Sequence, residues 1–198
     1  RPERSSAKTM TIDPEAAEPV LRELQSLGEK LGYAERAAYA RGCVAEALCR
    51  LDLDGALALL RDITDDNEAT RHQPNIAARI AATQPERARE LMAACSDWQR
   101  GYEMPRVVCA MAPAHPDTAL ELARGIVDPC LKARSLGYVA LALAKRDPQR
   151  AAAVLREAAG VTASADISEA RGGSTGLDAT AGELALIAAQ MGHPAVDG

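Results

Sequence analysis

The feature that most constrains this chain is a recurrence. Four segments align without gaps: Asp52 to Leu60, Gln84 to Met92, His115 to Ala123 and Asp147 to Leu155. The alanines they share are Ala56, Ala88, Ala119 and Ala151, separated by 32, 31 and 32 residues. A unit of this length is one supersecondary element that cannot bury its apolar face alone and must stack on its neighbours. The expected fold is therefore all-α: an α-solenoid of antiparallel helix pairs, an α-α superhelix.

Each segment reads as a helix start. Asp147 is a good N-cap, and Pro85, Pro116 and Pro148 suit the first turn, where no amide partner is needed. From each shared alanine, apolar residues recur at helical spacing. They are Ala56, Leu59, Leu60 and Ile63 in the first copy, and Ala88, Leu91, Met92 and Cys95 in the second. The third copy has Ala119, Leu122, Ala123 and Ile126. This is one apolar face. Upstream of each such B helix lies an A helix, whose stripe contains the Val44, Ile76, Val107 and Val139 column and then Leu48, Ile80, Met111 and Leu143. Cys49, Ala81, Ala112 and Ala144 continue it. A and B are so close in sequence that they must be antiparallel neighbours.

Residues 13–159 are expected to form the solenoid. Its first B helix starts at Asp13-Pro14, with Pro19 as an objection inside it. Residues 1–12 read as a disordered or extended arm. Residues 160–176 break the period and contain Gly172-Gly173-Ser174-Thr175-Gly176, a flexible-loop composition in which only a short helix around 167–170 is expected. Residues 177–198 read as a terminal A helix with Leu184, Ile187, Ala188 and Met191, followed by a truncated B-helix start at His193-Pro194. The chain begins Arg1-Pro2-Glu3 rather than Met, as expected of a fragment or a processed protein.

Composition agrees with tight helix packing. Hydrophobic residues make up 47% of the 198, but aromatics only 3%, with no Phe. The core must be built from Ala, Leu, Val and Ile, and Ala is the best helix former. A β-sandwich would draw on β-branched and aromatic residues instead. A net charge of −5 argues against a nucleic-acid partner. No apolar run is long enough to span a bilayer, so no membrane partner is expected. Five cysteines at 43, 49, 95, 109 and 130 form no disulfide framework, and mostly fall on apolar helix positions. Reduced buried thiols point to a cytoplasmic setting.

The Asp-Pro-Glu-Arg-Ala-Leu-Glu-Leu-Ala phrase, approximated at 84–92, 115–123 and 147–155, resembles helical repeats of large multidomain bacterial proteins. These are similar in style to tetratricopeptide and HEAT repeats. The tetratricopeptide period is longer, about 34 residues, and its Trp, Leu-Gly and Tyr set is absent from the frame here. The resemblance is thus tetratricopeptide-like without membership. It implies protein–protein interaction within a larger assembly.

No motif carries catalysis, so no catalytic, cofactor-binding or metal-ligating residue is assigned, and no cofactor is expected. The G-x-S-x-G match at 172–176 lacks the strand that a nucleophile elbow requires, and no Lys follows to make a phosphate loop. His72, His115 and His193 are the only histidines, and no Cys-x-x-Cys or His-x-x-x-His pairing accompanies them. Asp65, Asp97 and Asp128 recur once per unit, where a capping role is expected.

One pair of A-helix columns varies while the core columns hold. The residues before the Val/Ile column are Cys43, Asn75, Arg106 and Tyr138, and three positions earlier stand Ala40, His72, Glu103 and Ser135. Variable columns are expected on a ligand-facing surface, and inner helices line the concave face of a solenoid. Trp98 and Tyr102 stand at the entrance to one A helix, either as a recognition hot spot with Arg100 and Arg106 or as a plug between units. The candidate partner-binding residues are His72, Asn75, Trp98, Tyr102, Glu103, Arg106, Ser135 and Tyr138. The expected partner is a protein or peptide. The expected role is an interaction, scaffold or sensor segment of a larger protein. The alternatives are an enzyme or ligand-binding domain using the 160–176 loop, and a structural spacer.

Overall fold

A computed structural model of the chain describes residues 34–63, 66–166 and 173–192, with isolated positions 19, 23 and 26. Nine helices and no strand occur among the described residues. They are α1 (Ala34–Leu48), α2 (Leu53–Arg61), α3 (Asp66–Ile80), α4 (Pro85–Ala94), α5 (Asp97–Met111), α6 (Pro116–Arg124), α7 (Pro129–Leu143), α8 (Pro148–Ser164) and α9 (Gly173–Gly192). The chain divides into two compact units, 1–69 and 70–198. The expected arm at 1–12, the His193-Pro194 start and the short helix at 167–170 lie outside the described residues; of the expected Asp13–Leu24 helix only Pro19 and Glu23 are described, both as helix.

The four expected B-helix starts at Leu53, Pro85, Pro116 and Pro148 are the first residues of α2, α4, α6 and α8. The chain enters each of them through the same turn. Residues 49–52, 81–84, 112–115 and 144–147 connect the paired helices. The last residue of each turn donates to the carbonyl that ends the preceding helix: Asp52 to Leu48 (3.0 Å), Gln84 to Ile80 (2.7 Å), His115 to Met111 (2.9 Å) and Asp147 to Leu143 (2.8 Å). Each shared alanine then donates to the turn's last carbonyl, at 3.0 Å from Ala56, Ala88 and Ala119 and 2.9 Å from Ala151.

Two capping solutions occur. Asp52 and Asp147 accept from the amides of Gly55 (2.8 Å) and Arg150 (2.9 Å). Gln84 and His115 make no side-chain cap, and proline follows each, which removes one orphan donor instead. The freed imidazole of His115 lies with Nε2 3.1 Å from the Ala82 carbonyl. Asp128 caps α7 through the Leu131 amide at 2.9 Å. Asp97 does not cap α5. Ser96 does, in a capping box with Gln99, and Asp97 occupies the first turn, where its negative charge suits the helix dipole. Asp65 lies outside the described residues.

In the first unit the core of α1 and α2 holds Val44, Ala45, Cys49, Ala56 and Leu60. In the second unit Ala88, Ala119 and Ala151 have no exposed surface, and neither do Ile76, Val107 and Val139. There α7 packs against α5, α6, α8 and α9. Ion pairs tie B helices one period apart: Arg89 to Glu121 at 3.6 Å, Arg150 to Asp117, and Arg124 to Glu157 at 2.7 Å.

A further column runs through the A helices. Gly42, Pro74, Pro105, Gly137 and Gly182 each stand two residues before the Val/Ile column or its α9 counterpart Leu184. Every A helix thus carries a helix-weakening residue at its middle. At Gly137 the reason is close approach: a Cβ there would lie 2.8 Å from Leu184 Cδ2 and 2.9 Å from Ile187 Cδ1.

The described residues of the expected loop at 160–176 are largely helix. α8 continues to Ser164, and Gly173 to Gly176 begin α9. Within α8, Thr162 and Ser164 hydroxyls donate to the carbonyls of Ala158 (3.2 Å) and Gly160 (2.8 Å), four residues back, which keeps small polar residues compatible with a helix.

Substitution at the alanine contacts should be costly. Ala119→Leu and Gly137→Val should each destabilise by about 1–3 kcal/mol through overpacking. Leu at the exposed Ala153 should stay within about 0.5 kcal/mol of the parent. Urea denaturation of the three variants checks this. A second outcome concerns pH. The hydrogen bond from Arg124 holds the Glu157 carboxyl below the usual range. A lowered folded value means stability that is present above the ordinary carboxylate value of about 4.3 and lost as pH falls through the folded value. The pair is partly exposed, so the contribution is about 0.2–1 kcal/mol. Glu157→Gln should remove that acid-limb slope in denaturation curves taken from pH 7 downward.

Candidate functional site

The eight candidate residues fall into three environments. His72 (2% exposed) and Ser135 (0%) are buried. The Ser135 hydroxyl donates to the Leu131 carbonyl at 2.7 Å. Burial takes both off any partner-facing surface. The reason is spacing: their column stands four residues before the Val/Ile column, one helical turn along the same apolar stripe. Thr180, at the α9 position of that column, is likewise buried and donates to the Gly176 carbonyl at 2.8 Å. Ala40 and Glu103, the other members of the column, are half-buried.

Asn75, Arg106 and Tyr138 lie at a lateral boundary between successive A helices. The Arg106 guanidinium donates to the Asn75 amide oxygen, bridging α5 and α3. It also pairs with Glu103 one turn away at 3.3 Å. The Tyr138 hydroxyl donates to the Glu183 carboxylate, bridging α7 and α9. Glu183 precedes Leu184 as Tyr138 precedes Val139, so both bridges join neighbouring members of one column. Arg134 completes the second bridge, 2.6 Å from Glu183. The variation in this column therefore includes matched pairs between adjacent helices, which a reading for ligand contact alone overlooks.

Trp98 and Tyr102 are different. They lie one turn apart on α5, 68% and 52% exposed, with ring centroids 5.8 Å apart and planes within 2° of parallel. Trp98 plugs no junction. The helix start beneath it is fixed by the Ser96–Gln99 capping box, and by Arg100, whose guanidinium donates to the Cys95 carbonyl at 3.0 Å and meets Asp97 at 3.2 Å. The Cys95 thiol at this corner is pushed up by burial, against the lowering effect of Arg100. It donates to the Leu91 carbonyl at 3.3 Å and is a structural thiol rather than a nucleophile. Charged groups flank the rings: Asp97 and Arg100 on one side, Glu103 and Arg106 on the other. A flat aromatic platform with mixed charges around it can bury area against another surface and orient it.

Among the described residues, no three His, Cys, Asp or Glu side chains are grouped to hold a metal ion. No described helix is long and apolar enough to cross a membrane.

The Tyr138 bridge has a titration signature. The hydrogen bond to Glu183 and burial raise the phenol above its ordinary value. A raised folded value gives stability that is fully present below the ordinary tyrosine value of about 10 and lost as pH rises through the folded value. Tyr138→Phe should therefore lower stability near neutral pH and show a shallower alkaline loss than the parent. Denaturation midpoints at pH 8 and above pH 10 measure the difference. No protein-family model, curated protein or solved structure matches the chain.

Proposed function

We propose that this chain is a protein-interaction module, and that the Trp98–Tyr102 platform is where its partner docks. The observation that carries the reading is the exposure of that stacked pair. The chain has one Trp and no Phe. A core made of Ala, Leu, Val and Ile leaves that Trp with 68% of its surface in water. An exposed parallel pair of large rings gains most by burial against another protein, where Trp and Tyr are the residue types that dominate affinity.

The helices read as successive turns of an α-solenoid, tetratricopeptide- or HEAT-like in style. Three features support this: the four copies of one turn, the B-helix ion pairs one period apart, and the bridges between successive A helices. The proposed role is that of a scaffold or sensor segment within a larger, bacterial-type multidomain protein. Five free cysteines favour a reducing, cytoplasmic setting. The partner is a protein or peptide rather than nucleic acid, in keeping with the acidic balance.

The platform differs from the columns first considered, because Arg106 and Tyr138 already serve Asn75 and Glu183. The test uses a photoreactive phenylalanine analogue at Tyr102 in the source cell, with crosslinked proteins identified by mass spectrometry. One dominant crosslinked partner is expected. With that partner purified, the emission of the single Trp should shift to the blue on mixing, and Trp98→Ala should weaken affinity by at least tenfold, about 1.4 kcal/mol or more. A partner bound equally well by Trp98→Ala and Tyr102→Ala variants would exclude the platform.

A further inference from the structure

We infer that the partner of the Trp98–Tyr102 platform seats an arginine side chain in a notch on α5, floored by Gly101 and lying between Asp97 and Pro105. The inference rests on the platform reading and adds the chemistry of what docks there.

The notch follows from helix geometry. Asp97, Gly101 and Pro105 are spaced four apart, so they form one row along α5, beside the row that carries Trp98 and Tyr102. The middle of that row has no side chain, and a Cβ there would meet nothing within 4 Å. No contact within the chain therefore asks for glycine, which weakens a helix relative to alanine. Pro105 has no amide hydrogen, so the Gly101 carbonyl receives no hydrogen bond from the residue four positions on. α3 has a proline at the matching place, Pro74, but the residue four before it is Thr70, which carries a side chain. An open carbonyl under a bare glycine thus occurs on α5, directly beside the exposed rings.

The notch offers acceptors. Gly101 supplies its carbonyl oxygen. The Asp97 carboxylate lies one turn earlier, its side chain 99% exposed. Trp98, 68% exposed, supplies ring surface that attracts cations. The arginines of α5 point their donors elsewhere as well: Arg100 to the Cys95 carbonyl at 3.0 Å, and Arg106 to Asn75. Arg100 meets Asp97 through Oδ1 at 3.2 Å, and the exposure of that carboxylate leaves it open to a further donor. A carbonyl, a carboxylate and an indole call together for a cation with several donors. Arginine fits best, because its flat guanidinium lies against an aromatic ring while its fork reaches two acceptors at once. Gly101 is the fifth residue of α5, past the first turn, where the helix dipole would oppose a cation.

The probe is the capped tripeptide acetyl-Gly-Arg-Gly-amide, titrated into the full chain and followed by NMR at the Trp98 indole and the Gly101 amide. Saturable shifts at both are expected. The citrulline peptide, which keeps N–H donors and loses the charge, should bind about fivefold more weakly. Gly101→Ala fills the floor of the notch, and Pro105→Ala gives the Gly101 carbonyl an internal donor. Each should weaken the arginine peptide about fivefold, with a thermal midpoint at or above the parent's, because both substitutions favour helix. The same two variants should weaken the partner crosslinked at Tyr102. Arginine binding matched by citrulline, or unchanged in both variants, would overturn the proposal. So would a partner weakened by Trp98→Ala but indifferent to Gly101→Ala and Pro105→Ala, a result that leaves the platform standing. A partner indifferent to Trp98→Ala removes the platform and the notch with it.

Discussion

The interaction on which the rest depends is the contact made by the shared alanines. Ala56, Ala88, Ala119 and Ala151 have no exposed surface, and each sits at the first turn of its B helix. Their complete burial beside four-residue connecting turns favours a side chain no larger than a methyl group. Close approach then brings Val and Ile side chains of the A helices into full burial. The cost of forming short helices of 9 or 10 residues, such as α2, α4 and α6, is offset by this packing rather than by propensity, because isolated helices of that length are marginal in water.

Polar chemistry is arranged so that it does not disturb these contacts. Helix ends are closed locally, by Asp52, Ser96, Asp128 and Asp147, or by proline where the cap residue has no suitable oxygen. Buried hydroxyls of Ser135 and Thr180 bond back to their own helix, which satisfies them without reaching across the core. The long-range polar links lie outside the core. Several join groups about one unit apart, as in Arg89–Glu121 and Arg124–Glu157. Individually these exposed pairs contribute little to stability. Their value is in specifying which helix lies beside which, since a wrong neighbour would leave like charges or no partner.

Helix type and the starts of the B helices were legible in the sequence, because proline, Asp and the alanine column act at short range. The A-helix stripe was legible for the same reason. Three things were misread, each with a physical cause. His72 and Ser135 belong to a column that varies between units, which reads as surface, yet they stand one turn before Ile76 and Val139 on the buried stripe. The segments 160–164 and 173–176 read as loop because Gly and Ser are frequent there, but both are helical, and in α8 the Thr162 and Ser164 hydroxyls are satisfied by bonding back to their own helix. The bridges Asn75–Arg106 and Tyr138–Glu183 needed two helices at once, and no single-helix pattern could contain them. The Gly/Pro column, by contrast, was readable: Gly42, Pro74, Pro105 and Gly137 align in the same frame as the valines.

The placement of the aromatics bears on function because this core does not need them. In an ordinary domain an exposed Trp competes with a core that could bury it. Here the helices approach over alanine, so an indole at position 98 would hold them apart if it turned inward. Exposure of Trp98 is therefore compatible with packing, but packing does not supply a reason for a Trp in particular. The polar and charged residues around it, Asp97, Gln99 and Arg100, help to close and brace the start of α5. They leave the ring on a fixed base, with Tyr102 stacked against it at 5.8 Å. A rigid aromatic surface loses little conformational entropy when it is covered, which is the property a recognition surface requires. Scaffold and recognition element can thus be separated by residue type: aliphatic and small side chains hold the helices, and the one Trp, stacked with its neighbouring Tyr, is exposed toward something outside the chain.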